Sequence, residues 1–290
     1  MVKKIISGIS YDKEYRPLLI LDDFSNGYSR DYYSLKEGSS ITISRMKARY
    51  CKGWYDLKTL DYKQCPSGVK LDFDKERCVE CASKSKYNPF FDKVSEGALS
   101  ADQIAYNNQP HIVYLASFGP KLIKIGIANE GRKINRWLDQ GAIYACEIAK
   151  TKNALIARNI EKLISSSKIV PEAINKKTKI SSILRYGCNY DFEEDFSLVI
   201  KKIKDIGVEV NASNYQMFNG RKLLDIDFSI AIDMSLNTPI EISGNFVCLV
   251  GDFIFLENNG RLLYWKISSI VSHICKIEDS IKDISLNTLF

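Results

Sequence analysis

The chain has 290 residues, of which 45% are hydrophobic and 26% are charged, with a formal net charge of +6. This length exceeds what one small core organises, so two or three compact units are expected. The sequence contains no run of about 18 uncharged apolar residues, and its first apolar stretch is too short for a signal peptide. These features argue against a helical membrane protein and predict a soluble, cytoplasmic one.

The positive charge is concentrated in residues 121–190, which hold 14 Lys and Arg against 5 Asp and Glu, a balance of +9. The rest of the chain therefore carries −3, the difference between +6 and +9. Lys and Arg release counterions when they contact backbone phosphates, so the pattern favours a nucleic acid, DNA or RNA, as partner. A solvated helix face would carry the same charge.

The first third of the chain, residues 1–100, is predicted to form a β-rich unit. Its strand-like segments, separated by polar or glycine-containing turns, are "KKIISGIS", "RPLLILDD" and "SSITISRM". Residues 46–86 lack periodicity and are rich in Lys, Asp, Gly and Cys. Such a segment needs a stabilising cross-link, such as a bound metal ion, to stay ordered.

Four of the eight cysteines fall in this segment, at Cys51, Cys65, Cys78 and Cys81. The last two are separated by two residues, a spacing that lets both thiolates reach one tetrahedral ion. Four thiolates with no neighbouring histidine fit a closed, structural zinc site. The alternative is that these cysteines are small buried residues or free thiols.

Residues 101–206 are predicted to form a second unit with the pattern β-β-α-β-α followed by basic helices. Ser100 is placed to cap a short helix, and "FGP" is the turn of a hairpin of strands 111–117 and 121–128. Asn129 is placed to cap a helix that reaches Leu138. The later predicted elements are the strand "AIYACEIA", a helix over 153–166, and helical segments within 172–206, the last capped by Asp191.

Residues 207–290 are predicted to form a separate β-rich unit. Strand-like segments are "VEVNAS", "LLDIDFSIAIDM", "PIEISG", "FVCLVGDFIFL" and "RLLYWKIS". Asn259-Gly260 is a typical hairpin turn.

A group of candidate catalytic residues lies in the second unit. Phosphodiester cleavage requires an activated nucleophile, stabilisation of phosphoryl charge and usually a divalent ion. Tyr114 on the first strand could polarise a nucleophile, and Lys124 on the second adds positive charge. Arg132 and Arg136, four residues apart, could share one helical face and bind one phosphate. Glu161 could hold a hard cation such as magnesium or manganese.

Each of these residues also has a structural interpretation. Tyr114 could be a core aromatic, the arginine pair could be a solvated helix face, and Glu161 could pair with Arg158 or Lys162. These alternatives stay open at the level of single residues.

The motifs add a resemblance. "VYLA", "KIGIA", an arginine in a helix and a later glutamate resemble the GIY-YIG nuclease superfamily. More closely, "HIVYLASFG", "KIGIA", "RWLDQGA" and the later Glu161 resemble the family catalogued as domain of unknown function 2797. An upstream cysteine cluster and the segment "GNFVCLVGDFIFLENNGRLLYWK" are similar to that family too, so the resemblance covers most of the chain.

The resemblance implies an α+β fold whose central three-stranded antiparallel sheet is flanked by helices. It also implies an enzyme that cleaves DNA or RNA with one divalent metal ion. It implies that Tyr114 activates the nucleophile, Arg136 stabilises the phosphate and Glu161 binds the metal. The sequence departs at Lys124, where the superfamily has its second tyrosine. His111 precedes the strand and could contact substrate or hydrogen-bond the backbone.

Two other functions remain open from the sequence. The basic pocket could bind nucleic acid without cleaving it, in a zinc protein that is not an enzyme. Alternatively, the fold could serve an enzyme that acts on a small anionic molecule.

Overall fold

The computed structural model of the protein describes residues 4–25, 28–72, 75–85, 87–212, 215–217, 221–234 and 241–282. In chain order, the strands are β1 Lys4–Tyr11, β2 Pro17–Asp23, β3 Ser29–Ser34, β4 Ser40–Arg49, β5 Trp54–Asp56, β6 Asp61–Lys63, β7 His111–Ser117, β8 Ile123–Asn129, β9 Tyr144–Thr151, β10 Gln216–Met217, β11 Ile232–Asp233, β12 Glu241–Val250, β13 Phe253–Asn258, β14 Arg261–Lys266 and β15 His273–Glu278. The helices are α1 Val79–Lys84, α2 Ala101–Asn107, α3 Lys133–Asp139, α4 Ala154–Ser166, α5 Lys176–Tyr186 and α6 Phe192–Asp205.

The chain forms two compact units. Unit 1 combines residues 1–85 with 230–290, and unit 2 consists of residues 86–229. The protein is therefore α+β, with one large sheet and several helices. In the described part of the chain, no helix combines the length and the apolar character needed to cross a membrane.

Unit 1 is built on a nine-stranded sheet with the order β11-β14-β13-β12-β4-β15-β1-β2-β3. Strand β4 pairs with β12 on one side and with β15 on the other. Its alternating apolar residues Ile41 and Ile43 join a core that contains Leu249, Leu256 and Trp265. The sequence analysis divides these strands between two units, 1–100 and 207–290, whereas in the structure they form one sheet and their apolar residues share one core.

The C-terminal strands follow the sequence prediction in part. Asn259 and Gly260 both have positive φ, 52° and 71°, so they form the two-residue loop that joins β13 to β14. The predicted strand "VEVNAS" is wrong, because residues 208–212 lie outside any strand. The segment "LLDIDFSIAIDM" forms two 3-10 turns before the short β11. Strands β3 and β15 are not predicted by the sequence.

Unit 2 is built on an antiparallel sheet with the order β10-β9-β7-β8. Strand β7 is buried along its whole length, as expected of a central strand covered on both faces. Helix α4 packs against β7, β8 and β9. Two predicted caps are confirmed: the Ser100 side chain accepts from the Gln103 N–H, and that of Asp191 accepts from the Glu194 N–H.

Candidate functional site

Unit 1 contains the cluster of Cys51, Cys65, Cys78 and Cys81. The four side chains are buried and their sulfur atoms lie within 4.8 Å of one another. Zn–S bonds of about 2.3 Å in a tetrahedron separate the sulfurs by roughly 3.8 Å, and the Cys65 and Cys78 Sγ atoms are 3.9 Å apart. The four cysteines could therefore hold a metal ion such as zinc.

Local backbone structure brings these sulfurs together. The β5–β6 ribbon connects Cys51 to Cys65, and Cys78 caps α1, where its Sγ accepts from the Cys81 N–H. Gly53 donates its N–H to Cys51 Sγ at 3.4 Å. A Cβ at Gly53, whose φ is +82°, would lie 1.8 Å from the Lys63 carbonyl oxygen. This position therefore requires glycine.

In unit 2, Tyr114 lies in the middle of β7 and is 0% exposed. The strand register places it opposite Gly126 on β8. A Cβ at Gly126 would lie 2.5 Å from both Cζ and Oη of Tyr114. The ring also packs edge-on against Trp137, with centroids 5.7 Å apart. Because Gly126 has no side chain, the Tyr114 ring can pass over β8 at this position.

The hydroxyl of Tyr114 is held by Gln140. The Gln140 Nε2 donates to Tyr114 Oη at 2.8 Å and to the Arg136 carbonyl at 3.0 Å. Burial raises the pKa of Tyr114, while the positive charge of Arg136 opposes this and the negative charge of Glu161 adds to it. The phenol is therefore protonated at neutral pH and has a proton to donate. Arg136 itself is exposed.

Glu161 projects from α4 and is 4% exposed. Arg158 Nη1 donates to its Oε2 at 2.5 Å. Burial raises the pKa of Glu161, and the charge of Arg158 opposes that effect. Within the described part of the chain, Oε1 of Glu161 accepts no hydrogen bond. One carboxylate oxygen is thus available to a ligand.

Lys124 on β8 is 7% exposed. Its amine has neither a hydrogen bond nor an ion pair with any described residue. Burial lowers the pKa of Lys124 to about 8, and the charge of Arg136 adds to this while that of Glu161 opposes it. Lys179, which donates to the Gln140 carbonyl at 3.0 Å, has its pKa lowered to about 7 by burial and by Lys124. Two amines near the site therefore titrate close to neutrality.

Four predicted site residues, Tyr114, Lys124, Arg136 and Glu161, lie on elements that contact one another: Gln140 bonds the Tyr114 hydroxyl and the Arg136 carbonyl, Lys124 is on β8 beside β7, and α4, which carries Glu161, packs against both strands. The other two are Arg132 and His111. Arg132 ends the turn before α3 and pairs with Asp139 at 3.7 Å. The His111 ring contacts the Gln109 carbonyl through Nδ1 at 2.8 Å and packs edge-on against Tyr106. Burial lowers the pKa of His111, and the hydrogen bond with the Gln109 backbone opposes this.

A cavity of about 350 Å³ in unit 2 is lined in part by Asp92, which pairs with Arg158 and Lys162. Its lining combines apolar side chains, such as Phe91 and Ile104, with the amides of Asn107 and Asn153 and the carboxylate of Asp92. Among the described residues that line it, none is a lysine or an arginine.

A family model described as "Protein of unknown function (DUF2797)" matches residues 38–259, more than half of the 290 residues. The chain belongs to this family. No curated protein and no solved structure matches it. The matched range of this DUF2797 protein includes both the cysteine cluster and the group around Tyr114. The relation to GIY-YIG nucleases stays a prediction.

Three residues around the site of the DUF2797 protein are missed by the sequence analysis. Asp92 forms ion pairs with Arg158 and Lys162, Lys179 contacts Gln140, and the charges of the site act on Tyr87. None belongs to a motif, and Tyr87 lies between the cysteine cluster and α2. Of the interactions around the site, the Arg158–Glu161 ion pair is the one that the sequence indicates, because the two residues are three positions apart on one helix.

Proposed function

We propose that unit 2 cleaves or processes nucleic acid at a GIY-YIG-like site with the help of a divalent metal ion. The observation that carries this proposal is a convergence around the Tyr114 hydroxyl: Gln140 bonds both this hydroxyl and the Arg136 carbonyl, and α4, which carries the buried Glu161, packs against β7 and β8. These groups come from α3, α4 and β7, which are separate in sequence. The antiparallel pairing of β7 with β8 and β9 supports the proposed relation to the GIY-YIG superfamily, which implies a three-stranded antiparallel sheet.

Arg136 is the group that meets the substrate phosphate. Its side chain is exposed, and it carries a permanent charge in a planar fork that matches phosphoryl oxygens. Arg132, on the preceding turn, adds positive charge. Both lie in the segment that carries +9. A polyanion is therefore attracted to the surface from which Arg136 projects.

Tyr114 and Lys124 have different roles: Tyr114 orients the nucleophile, and Lys124 accepts its proton. The pKa of Tyr114 is raised by burial, so the phenol orients the nucleophile through its hydrogen bond rather than removing a proton. Lys124 occupies the position of the superfamily's second tyrosine. With a pKa of about 8 it is neutral in about a tenth of molecules at pH 7, and that fraction accepts the proton.

Glu161 is the residue that would hold magnesium or manganese. Magnesium binds through one or two carboxylates plus substrate phosphate and water, and Oε1 of Glu161 is unpartnered in the described chain. The residues therefore fit the ion. Bound there, it would polarise a phosphoryl oxygen.

The cysteine cluster is proposed to bind one structural zinc ion. Four buried thiolates leave no open coordination position for substrate. Metal analysis of native protein should find about one zinc per chain. Less than half an equivalent would contradict the assignment.

A cleavage assay tests the proposed function. Mixed DNA and RNA substrates are incubated with magnesium or manganese and wild type, Arg136→Ala or Glu161→Gln protein. Arg185→Ala, a change at an exposed arginine on α5, is the matched control. Arg136→Ala should cleave about 100-fold or more slowly than wild type. Glu161→Gln should no longer show cleavage that is promoted by magnesium or manganese. The control should cleave at the wild-type rate. Equal cleavage by Arg136→Ala and wild type would refute the mechanism.

One observation favours a second candidate, a site that binds nucleic acid without cleaving it. Arg158 already neutralises Glu161 through a partly buried ion pair. This candidate predicts salt-sensitive binding in EDTA that Glu161→Gln leaves unchanged, with no cleavage in any metal.

A further inference from the structure

A second tyrosine stands beside the site, on the segment that precedes α2. The ring of Tyr87 packs edge-on against Tyr106, with centroids 6.0 Å apart and planes at 87°. Tyr87 is 44% exposed, whereas Tyr114 is 0% exposed. Within the described chain, the Tyr87 hydroxyl has no hydrogen-bond partner. Tyr87 is therefore the more exposed of the two tyrosines.

The backbone beside Tyr87 is fixed to α2. Asn88 donates its N–H to Gln103 Oε1 at 2.8 Å, and Gln103 Nε2 returns a bond to the Asn88 carbonyl at 2.7 Å. Gln103 is 0% exposed, so burial strengthens this two-way amide contact. The position of Tyr87 therefore follows from the fold of unit 2.

The same segment is also fastened to α4. Arg158 donates to the Pro89 carbonyl at 3.1 Å and pairs with both Asp92 and Glu161. Lys162 forms a further ion pair with Asp92. Arg158 thus joins the segment that carries Tyr87 to the carboxylate proposed to hold the metal.

The charges around Tyr87 are those of the site. Burial raises the pKa of its hydroxyl, the positive charges of Arg136 and Arg158 oppose this, and the negative charge of Glu161 adds to it. At neutral pH the hydroxyl keeps its proton. The hydroxyl is therefore available as a hydrogen-bond donor, on a segment that Arg158 links to Glu161.

We propose that Tyr87 is a second substrate-contacting phenol of this site, whose hydroxyl donates a hydrogen bond to a phosphoryl oxygen held by Arg136. This inference rests on the proposed function and extends it. Tyr114 forms the buried floor beside the nucleophile, and Tyr87 binds the phosphate from the open side. Lys124 stands where the superfamily has its second tyrosine. In this view Tyr87, which lies outside the motif, provides the second phenol instead.

The variant Tyr87→Phe tests the contact, because it keeps the ring against Tyr106 and removes only the hydroxyl. Tyr186→Phe is the matched control, since Tyr186 on α5 is 50% exposed. Tyr87→Phe should slow single-turnover cleavage about tenfold or more, as expected for a lost hydrogen bond to a charged group. The control should stay within about twofold, and the Tm of both variants should match wild type.

The two proposals fail in different ways. If Arg136→Ala is inactive while Tyr87→Phe cuts like wild type, the role of Tyr87 is overturned and the proposed function stands. If the wild type binds oligonucleotide in EDTA but never cuts, the proposed cleavage fails. The Tyr87 contact then still predicts weaker binding by Tyr87→Phe, and equal affinity overturns it. If the wild type neither binds nor cuts, both are overturned.

Discussion

The contact between Tyr114 and Gly126 yields the sharpest prediction. In Gly126→Ala, the new Cβ would lie 2.5 Å from Cζ and Oη of Tyr114, about 1 Å closer than ordinary carbon contact. The ring cannot withdraw easily, because it is 0% exposed and Gln140 holds its hydroxyl. Overpacking of this kind costs about 1–3 kcal/mol. Without the clash, alanine would stabilise the strand by about 0.5–1 kcal/mol.

Hydrogen exchange of peptides within residues 111–129 measures this cost locally, which avoids assuming one transition for a chain with two units. Gly97→Ala is the control, since a Cβ there has nothing within 4 Å. In a Tyr114→Leu background, Gly126→Ala should become nearly neutral or stabilising, because the clashing atoms are gone. An equal cost in both backgrounds would refute the steric argument. Cleavage by Gly126→Ala should also fall, because the phenol is displaced.

Three further predictions concern metal, pH and a buried ion pair. Cys78→Ser should reduce zinc content and lower the Tm of unit 1, whereas Cys248→Ser should keep the metal, as measured by metal analysis and calorimetry. Lys124 has a folded pKa of about 8 against 10.5 for the ordinary group, so the unfolded chain binds more protons between these values and stability rises with pH there. Lys124→Met should remove this rise, on the order of 3 kcal/mol, in urea unfolding from pH 7.5 to 10.5; an unchanged slope would contradict it. Arg158→Met should destabilise by about 3–5 kcal/mol at pH 7 because Glu161 is left buried and charged. The loss should shrink as the pH falls, because burial raises the pKa of Glu161 and protonation removes the uncompensated charge, and a loss independent of pH would rule out this cause.

Local signals in the sequence predict local structure well. The caps at Ser100 and Asp191 and the Asn259-Gly260 turn depend on residues within a few positions, and all three are as predicted. The alternation of apolar residues likewise locates β7. Such features need no knowledge of distant partners.

Features that depend on distant partners are not predictable in the same way. The sequence places β4 and β12 in separate units because their pairing spans most of the chain. Of the residues proposed for the site, Tyr114, Lys124, Arg136 and Glu161 are identified by motif. Tyr87 carries no local signal, because its place is set by a segment that hydrogen-bonds to Gln103, which is distant in sequence.

Because unit 2 interrupts unit 1 in the sequence, the ribosome releases the two halves of the large sheet at different times. Strand β4 ends at Arg49, and its neighbour β12 begins at Glu241. At about 5–20 residues per second, nascent β4 waits about 10–40 s for that neighbour. During this interval its apolar edge is open to other chains. The order of synthesis therefore allows unit 2 to fold before the large sheet of unit 1 has all of its strands.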